Sequence, residues 1–207
     1  MSRKLYGFYY WAFLAMLLSS CVEGDFYDVS DTEYIFSLRK NAKESSYNPY
    51  WDYPTLYELA ASQIVITKMN EAWQLTMDSC TTNGIREFGF YIYYSRNRHT
   101  IYCGEIKSGA LFTQDDLIDN TYSNPTIYLG NVENNQDVCG FFHTHPSLEY
   151  FTNCHRLTGP SDADIHFANT NKMPGLLFDY AGRIVNAGQS KTSQSEIYKY
   201  GPTRRYL

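Results

Sequence analysis

The sequence predicts an α/β fold, a mixed β-sheet packed against helices. One stretch, Thr55 to about Met77, has helical apolar spacing. Several short runs rich in Tyr, Ile, Phe and Leu, separated by polar turns, read as strands. A second short helix lies between the later strands, giving the order helix, hairpin, strand, helix, hairpin. With 207 residues, 43% hydrophobic and 17% aromatic, the chain can bury a real core and is not a disordered polymer. Its 17 basic and 22 acidic side chains leave a net charge of -5 with no basic run. That balance argues against a nucleic-acid partner held through phosphates.

Taken in order, Leu56, Leu59, Ala60, Ile64, Ile66, Met69, Ala72 and Leu75 recur every three to four residues, which makes one apolar helix face. Gly89–Tyr94 and Thr100–Ile106 flank the polar Ser95-Arg96-Asn97-Arg98 and predict a hairpin. Residues 107–136 are rich in Asp, Asn, Ser and Thr and predict loop with short strands. Val138–Phe142 is an apolar strand. Pro160 and a capping Ser161 open a helix that runs to Asn171. Leu176–Tyr180 and Arg183–Asn186 predict a second hairpin across Ala181-Gly182, and Ser195–Tyr200 a last strand.

The N-terminus reads as an address. Arg3 and Lys4 precede an uncharged run from Leu5 to Leu18, the layout of a secretory signal. Leu18-Ser19-Ser20-Cys21 then resembles the lipobox of bacterial lipoproteins. That resemblance implies a signal peptide over 1–20, lipid such as palmitate on Cys21, and attachment to a membrane of the cell envelope. Residues 21–52 form the lipidated cysteine and its tether, and 53–207 the domain. Cys80, Cys103, Cys139 and Cys154 form no CxxC pair, which argues against a zinc–cysteine cluster. In an oxidising compartment they are candidates for two disulfides or remain buried thiols.

The chemistry lies in His143-Thr144-His145-Pro146 and Ser161-Asp162-Ala163-Asp164. Residues two apart on a strand project to one side, so His143 and His145 can reach one ion, and Pro146 ends the strand. Asp164, in the first turn of the following helix, can swing in as a third ligand. Two histidines and a carboxylate leave a fourth tetrahedral position open, as catalytic zinc requires. The bland alternative is a pair of hydrogen-bonded strand histidines.

The wider pattern resembles the JAMM (MPN-type) zinc metalloproteases, a group that includes isopeptidases, and in particular secreted bacterial domains with the same motif. Their signature is an upstream Glu, then His-x-His-Pro, then Ser-x-x-Asp opening a helix. The resemblance implies an α-β-α architecture of the JAMM and cytidine-deaminase kind, zinc on His143, His145 and Asp164, and two catalytic residues. Glu87, in Glu87-Phe88-Gly89, takes the upstream place, with Glu105 as its rival. It would move the proton of the attacking water, while Ser161 would stabilise the oxyanion. The implied activity is hydrolysis of a peptide or isopeptide bond in a peptide or protein substrate. Two features depart from the family. Eighteen residues separate His145 from Asp164, the excess lying in Ser147–Gly159. That surface insertion would be a lid, a specificity loop or a plug. Phe90 stands where glycine is common, and would narrow the substrate groove. Both departures favour the alternative, a binding or immunity-type lipoprotein that keeps the fold without cleaving. His166, His155, His99 and Asp162 are expected outside the ligand set.

Overall fold

Thr55 begins the first helix by accepting a hydrogen bond from the Glu58 amide while the Glu58 carboxylate receives the Thr55 amide, so two of the orphan donors of the first turn are satisfied. The computed structural model describes residues 53–119, 127–130, 137–189 and 195–203. Helix α1 is Leu56–Ala61 and α2 is Gln63–Ser79. The apolar spacing runs through both, but Ser62 between them is extended (φ -69°, ψ 122°), so the single expected helix is two. Among the described residues no helix is long and apolar enough to cross a membrane. The expected signal peptide, lipidated Cys21 and tether lie outside the described residues.

The strands are β1 (Phe88–Ser95), β2 (Thr100–Cys103), β3 (Lys107–Ser108), β4 (Val138–Thr144), β5 (His155–Leu157), β6 (Gly175–Tyr180), β7 (Ile184–Asn186) and β8 (Ser195–Tyr200). Two further helices, α3 (Gln114–Asp119) and α4 (Asp162–Thr170), lie between them. The main sheet has six strands, with β2-β1-β4-β6-β8 side by side and β3 continuing the β2 edge along β1. Only β4 and β6 run parallel, joined through α4, so the sheet is mixed and helix-covered, as the sequence predicts. On one face Phe90, Ile92, Phe142, Leu176 and Phe178 pack with Val65, Met69 and Ala72 of α2. On the other, Tyr91, Phe141, Leu177 and Tyr200 pack with Ala168 of α4. A third cluster at the sheet end gathers Ile85, Phe112, Tyr180 and Val185 with Leu148, Phe151 and Cys154 of the insertion.

Two expectations are corrected, and the two readings of the cysteines are separated. The Leu176–Asn186 hairpin does not form. Both edges of β6 are already paired, to β4 and β8, so β7 turns away and pairs with β5 in a separate two-stranded sheet. The insertion is therefore no loose surface loop, since it contributes a strand and three core residues. No disulfide joins Cys80, Cys103, Cys139 and Cys154. Cys103 on β2 and Cys139 on β4 are kept apart by β1, about 9–10 Å at the usual strand spacing, beyond what a disulfide spans. The Cys80 thiol instead points at the Ser147 carbonyl, and the Cys103 thiol at that of Ile64.

Candidate metal centre

Strand β4 is buried along its whole length, and its alternation sorts its side chains. Phe142 and Thr144 face α2, whereas Phe141 and His143 face α4. His145 lies one residue past the strand, yet its amide still bonds the Phe178 carbonyl (2.9 Å), extending the parallel ladder and placing it on the side of His143. Pro146, with no N–H to give, ends the ladder. The intervening Thr144 does a different task. Its hydroxyl shares a 2.5 Å hydrogen bond with Thr76 of α2 and accepts the Phe88 amide at 3.0 Å, fixing the main chain beside Glu87.

Asp164 is delivered by the cap of α4. Its amide donates to the Ser161 hydroxyl, and its Oδ2 receives the Ser161 amide (2.7 Å) and hydroxyl (2.8 Å). The same carboxylate faces both rings, with Oδ1 3.2 Å from His143 Nε2 and Oδ2 3.4 Å from His145 Nε2, while the two Nε2 atoms are 3.3 Å apart. Ligands on a tetrahedral zinc with bonds of roughly 2.0–2.1 Å stand about 3.3–3.4 Å from one another. Two imidazole nitrogens and a carboxylate are a donor set that such an ion takes, and His143, His145 and Asp164 are a site that can hold a metal.

Both rings are held from behind. His145 Nδ1 lies 3.3 Å from Asp179 Oδ2, and His143 Nδ1 lies 3.4 Å from the Tyr200 hydroxyl. Neither partner stands out in the sequence motif, although an acid inside the apolar run Leu176-Leu177-Phe178-Asp179-Tyr180 is the signal that marks Asp179. Tyr200 has room for its ring because position 175 is glycine; a Cβ there would lie 2.4 Å from the ring.

Glu87 is buried, and its Oε1 is 3.9 Å from His145 Nε2. Burial, opposed by the two histidines, pushes its pKa up to about 7. For His145 burial acts against the charged form, but hydrogen bonds to Asp164 and Asp179 prevail and hold its pKa up at about 10. Burial likewise works against ionised Asp164, and the neighbouring histidines outweigh it, leaving that carboxyl well below the usual range.

The other sequence candidates separate from this group. Glu105 is exposed and paired with Lys107. His166 is exposed on α4 within 3.4 Å of the Thr170 hydroxyl. His155 is exposed on β5, His99 sits at a turn beside Tyr94, and Asp162 is exposed in the first turn of α4. Phe90 does not narrow a groove over the triad. It is fully buried on the α2 face, its ring centroid 5.1 Å from that of Phe142. The glycine that matters locally is Gly89, directly opposite His143. No protein-family model, curated protein or solved structure matches the chain.

Proposed function

We propose that the chain is a zinc-dependent hydrolase of the JAMM type, cleaving a peptide or isopeptide amide bond in the cell envelope, where Cys21 carries its lipid. The observation that carries this reading is the triangle of His143 Nε2, His145 Nε2 and Asp164 with a buried carboxylate, Glu87, at its side. The sequence pattern Glu87…His143-x-His145-Pro146…Ser161-x-x-Asp164 supports the same family. Bound there, zinc supplies Lewis acidity that polarises water and a scissile carbonyl. Glu87 takes the proton of the attacking water and delivers it to the leaving nitrogen as the C–N bond breaks. Ser161 donates a hydrogen bond from its hydroxyl to the developing oxyanion. At rest the hydroxyl proton points at Asp164 Oδ2, so the hydroxyl must turn from the cap to the substrate. The binding-lipoprotein alternative loses one of its supports, because Phe90 points away from the triad.

Metal analysis of the purified protein is expected to give about one zinc per chain. His143→Ala is expected to lose it, and a folded wild type that takes up no zinc on titration would sink the hydrolase reading. The acid–base behaviour is a separate check. A raised carboxyl pKa means that Glu87 is protonated below about 7 and becomes a base only above it. Hydrolysis should therefore rise with pH on the acid side. A cation at the triad favours the carboxylate, so the midpoint in kcat/KM should fall below 7 in the loaded protein. Activity that is greatest at low pH and lost as pH rises to 7 would exclude Glu87 as the base.

A further inference from the structure

Asp179 is fully buried, and five hydrogen bonds reach its carboxylate. Oδ2 receives Arg156 Nη1 at 2.6 Å, the Gly159 amide at 2.9 Å and His145 Nδ1 at 3.3 Å. Oδ1 receives Arg156 Nη2 and the Tyr180 amide, both at 2.7 Å. The guanidinium thus grips the carboxylate by both oxygens. Its Nη2 also reaches the Pro146 carbonyl at 3.0 Å, next in the chain to His145. Arg156 lies in the middle of β5, paired with Val185 of β7, inside the insertion that sets this chain apart from the family pattern. The insertion is in turn rooted by Leu148, Phe151 and Cys154 in the third core cluster and by the Thr158 amide on the Arg183 carbonyl.

We propose that the 147–159 segment is a brace for the metal centre: Arg156 fixes Asp179, and Asp179 fixes the His145 ring with Nε2 turned to the triad. An ionised carboxylate only accepts, so His145 Nδ1 carries the proton that Asp179 Oδ2 receives, and Nε2 is the nitrogen left to a metal, which displaces any proton held there. Arg156 matters because it occupies one position on each oxygen. Without it a buried anion would be left with backbone amides and the ring alone, and would be free to draw in water or rotate. Arg156 and Asp179 are positioning residues; neither supplies a donor atom, and Asp179 meets His145 only at Nδ1, on the far side of the ring from the triad. The consequence for metal binding rests on the zinc reading above, whereas the fixed ring does not.

Two readouts separate these. In metal-free, nitrogen-labelled full-length protein, the imidazole spectrum should show a single His145 form with a protonated, hydrogen-bonded Nδ1. Arg156→Met should lose that signature and Arg156→Lys should restore part of it. Zinc affinity, measured by chelator competition, should fall roughly 10–100-fold in Arg156→Met and in Asp179→Asn. The visible spectrum of cobalt-loaded protein should shift in the same two variants. Phe151→Leu loosens the core of the insertion without touching Asp179, and should lower the melting temperature while keeping zinc affinity and the ring signature. An unchanged His145 signature in Arg156→Met overturns the brace. So does zinc affinity that tracks melting temperature alike in Arg156→Met and Phe151→Leu. A wild type that binds no zinc but shows the fixed ring, lost in Arg156→Met, defeats the zinc reading and upholds the brace.

Discussion

Glu87→Gln is expected to keep a full equivalent of zinc and to lower turnover by about 10²–10⁴-fold, the usual loss when a positioned proton carrier is removed. The amide has the shape of the carboxylate but cannot take a proton from water or return one to a leaving nitrogen. Retention of metal follows from geometry. Glu87 stands 3.9 Å from His145 Nε2, outside the triangle of 3.2–3.4 Å contacts made by His143, His145 and Asp164. Nor should the fold suffer, since the variant removes a buried negative charge that lies near Asp164 and makes no ion pair with Lys or Arg among the described residues. Zinc content and hydrolysis of a peptide library, measured together on wild type, Glu87→Gln and His143→Ala, give a pattern with one reading. Loss of both metal and activity in the histidine variant, but of activity alone in the glutamine variant, identifies the proton carrier. Full activity in Glu87→Gln would remove Glu87 from the mechanism. Zinc in the wild type with no cleavage of any substrate would favour the binding lipoprotein.

What the sequence makes legible here is local. His143-x-His145 can be read because strand alternation fixes two side chains on one side without reference to the rest of the fold. Ser161-x-x-Asp164 can be read because a capping box is closed within three residues. Glu87 is different. Its approach to His145 depends on the β1–β4 register and on the Thr144 hydroxyl holding the Phe88 amide, neither of which spacing alone reveals. Arg156 is further out of reach, because its role needs β5 to pair with β7 and the Arg156 side chain to reach Asp179 of β6. The same long-range competition explains the missing hairpin. The turn at Ala181-Gly182 signals local pairing, but β8 takes the edge of β6 that β7 would have used.

Gly89→Ala should cost about 3 kcal/mol of stability, the upper end for overpacking, which lowers the melting temperature of a domain of this size by roughly 6–12 °C. Gly89 is paired on one edge with Lys107 of β3 and on the other with His143 of β4. A Cβ at position 89 would lie 2.4 Å from the Phe142 carbonyl oxygen and 3.0 Å from His143 Cβ. The first of these is backbone inside a ladder, so it cannot swing aside as a side chain would. Relief requires β1 and β4 to part or slip, and the residue they part at, His143, is one of the three that can hold a metal. The variant should therefore weaken zinc binding out of proportion to its effect elsewhere in the molecule. Gly182→Ala is the fitting contrast. Position 182 has a left-handed backbone (φ +112°) but nothing within 4 Å of a new Cβ, so its cost is local strain at the turn between β6 and β7, outside the β1–β4 ladder. Lower stability with unaltered zinc affinity in Gly182→Ala, against loss of both in Gly89→Ala, would tie the strand register to the metal centre. Equal zinc affinity in the two variants would show that the His143 position does not depend on the close approach of β1, and that Asp164 and the braced rings suffice to build the site.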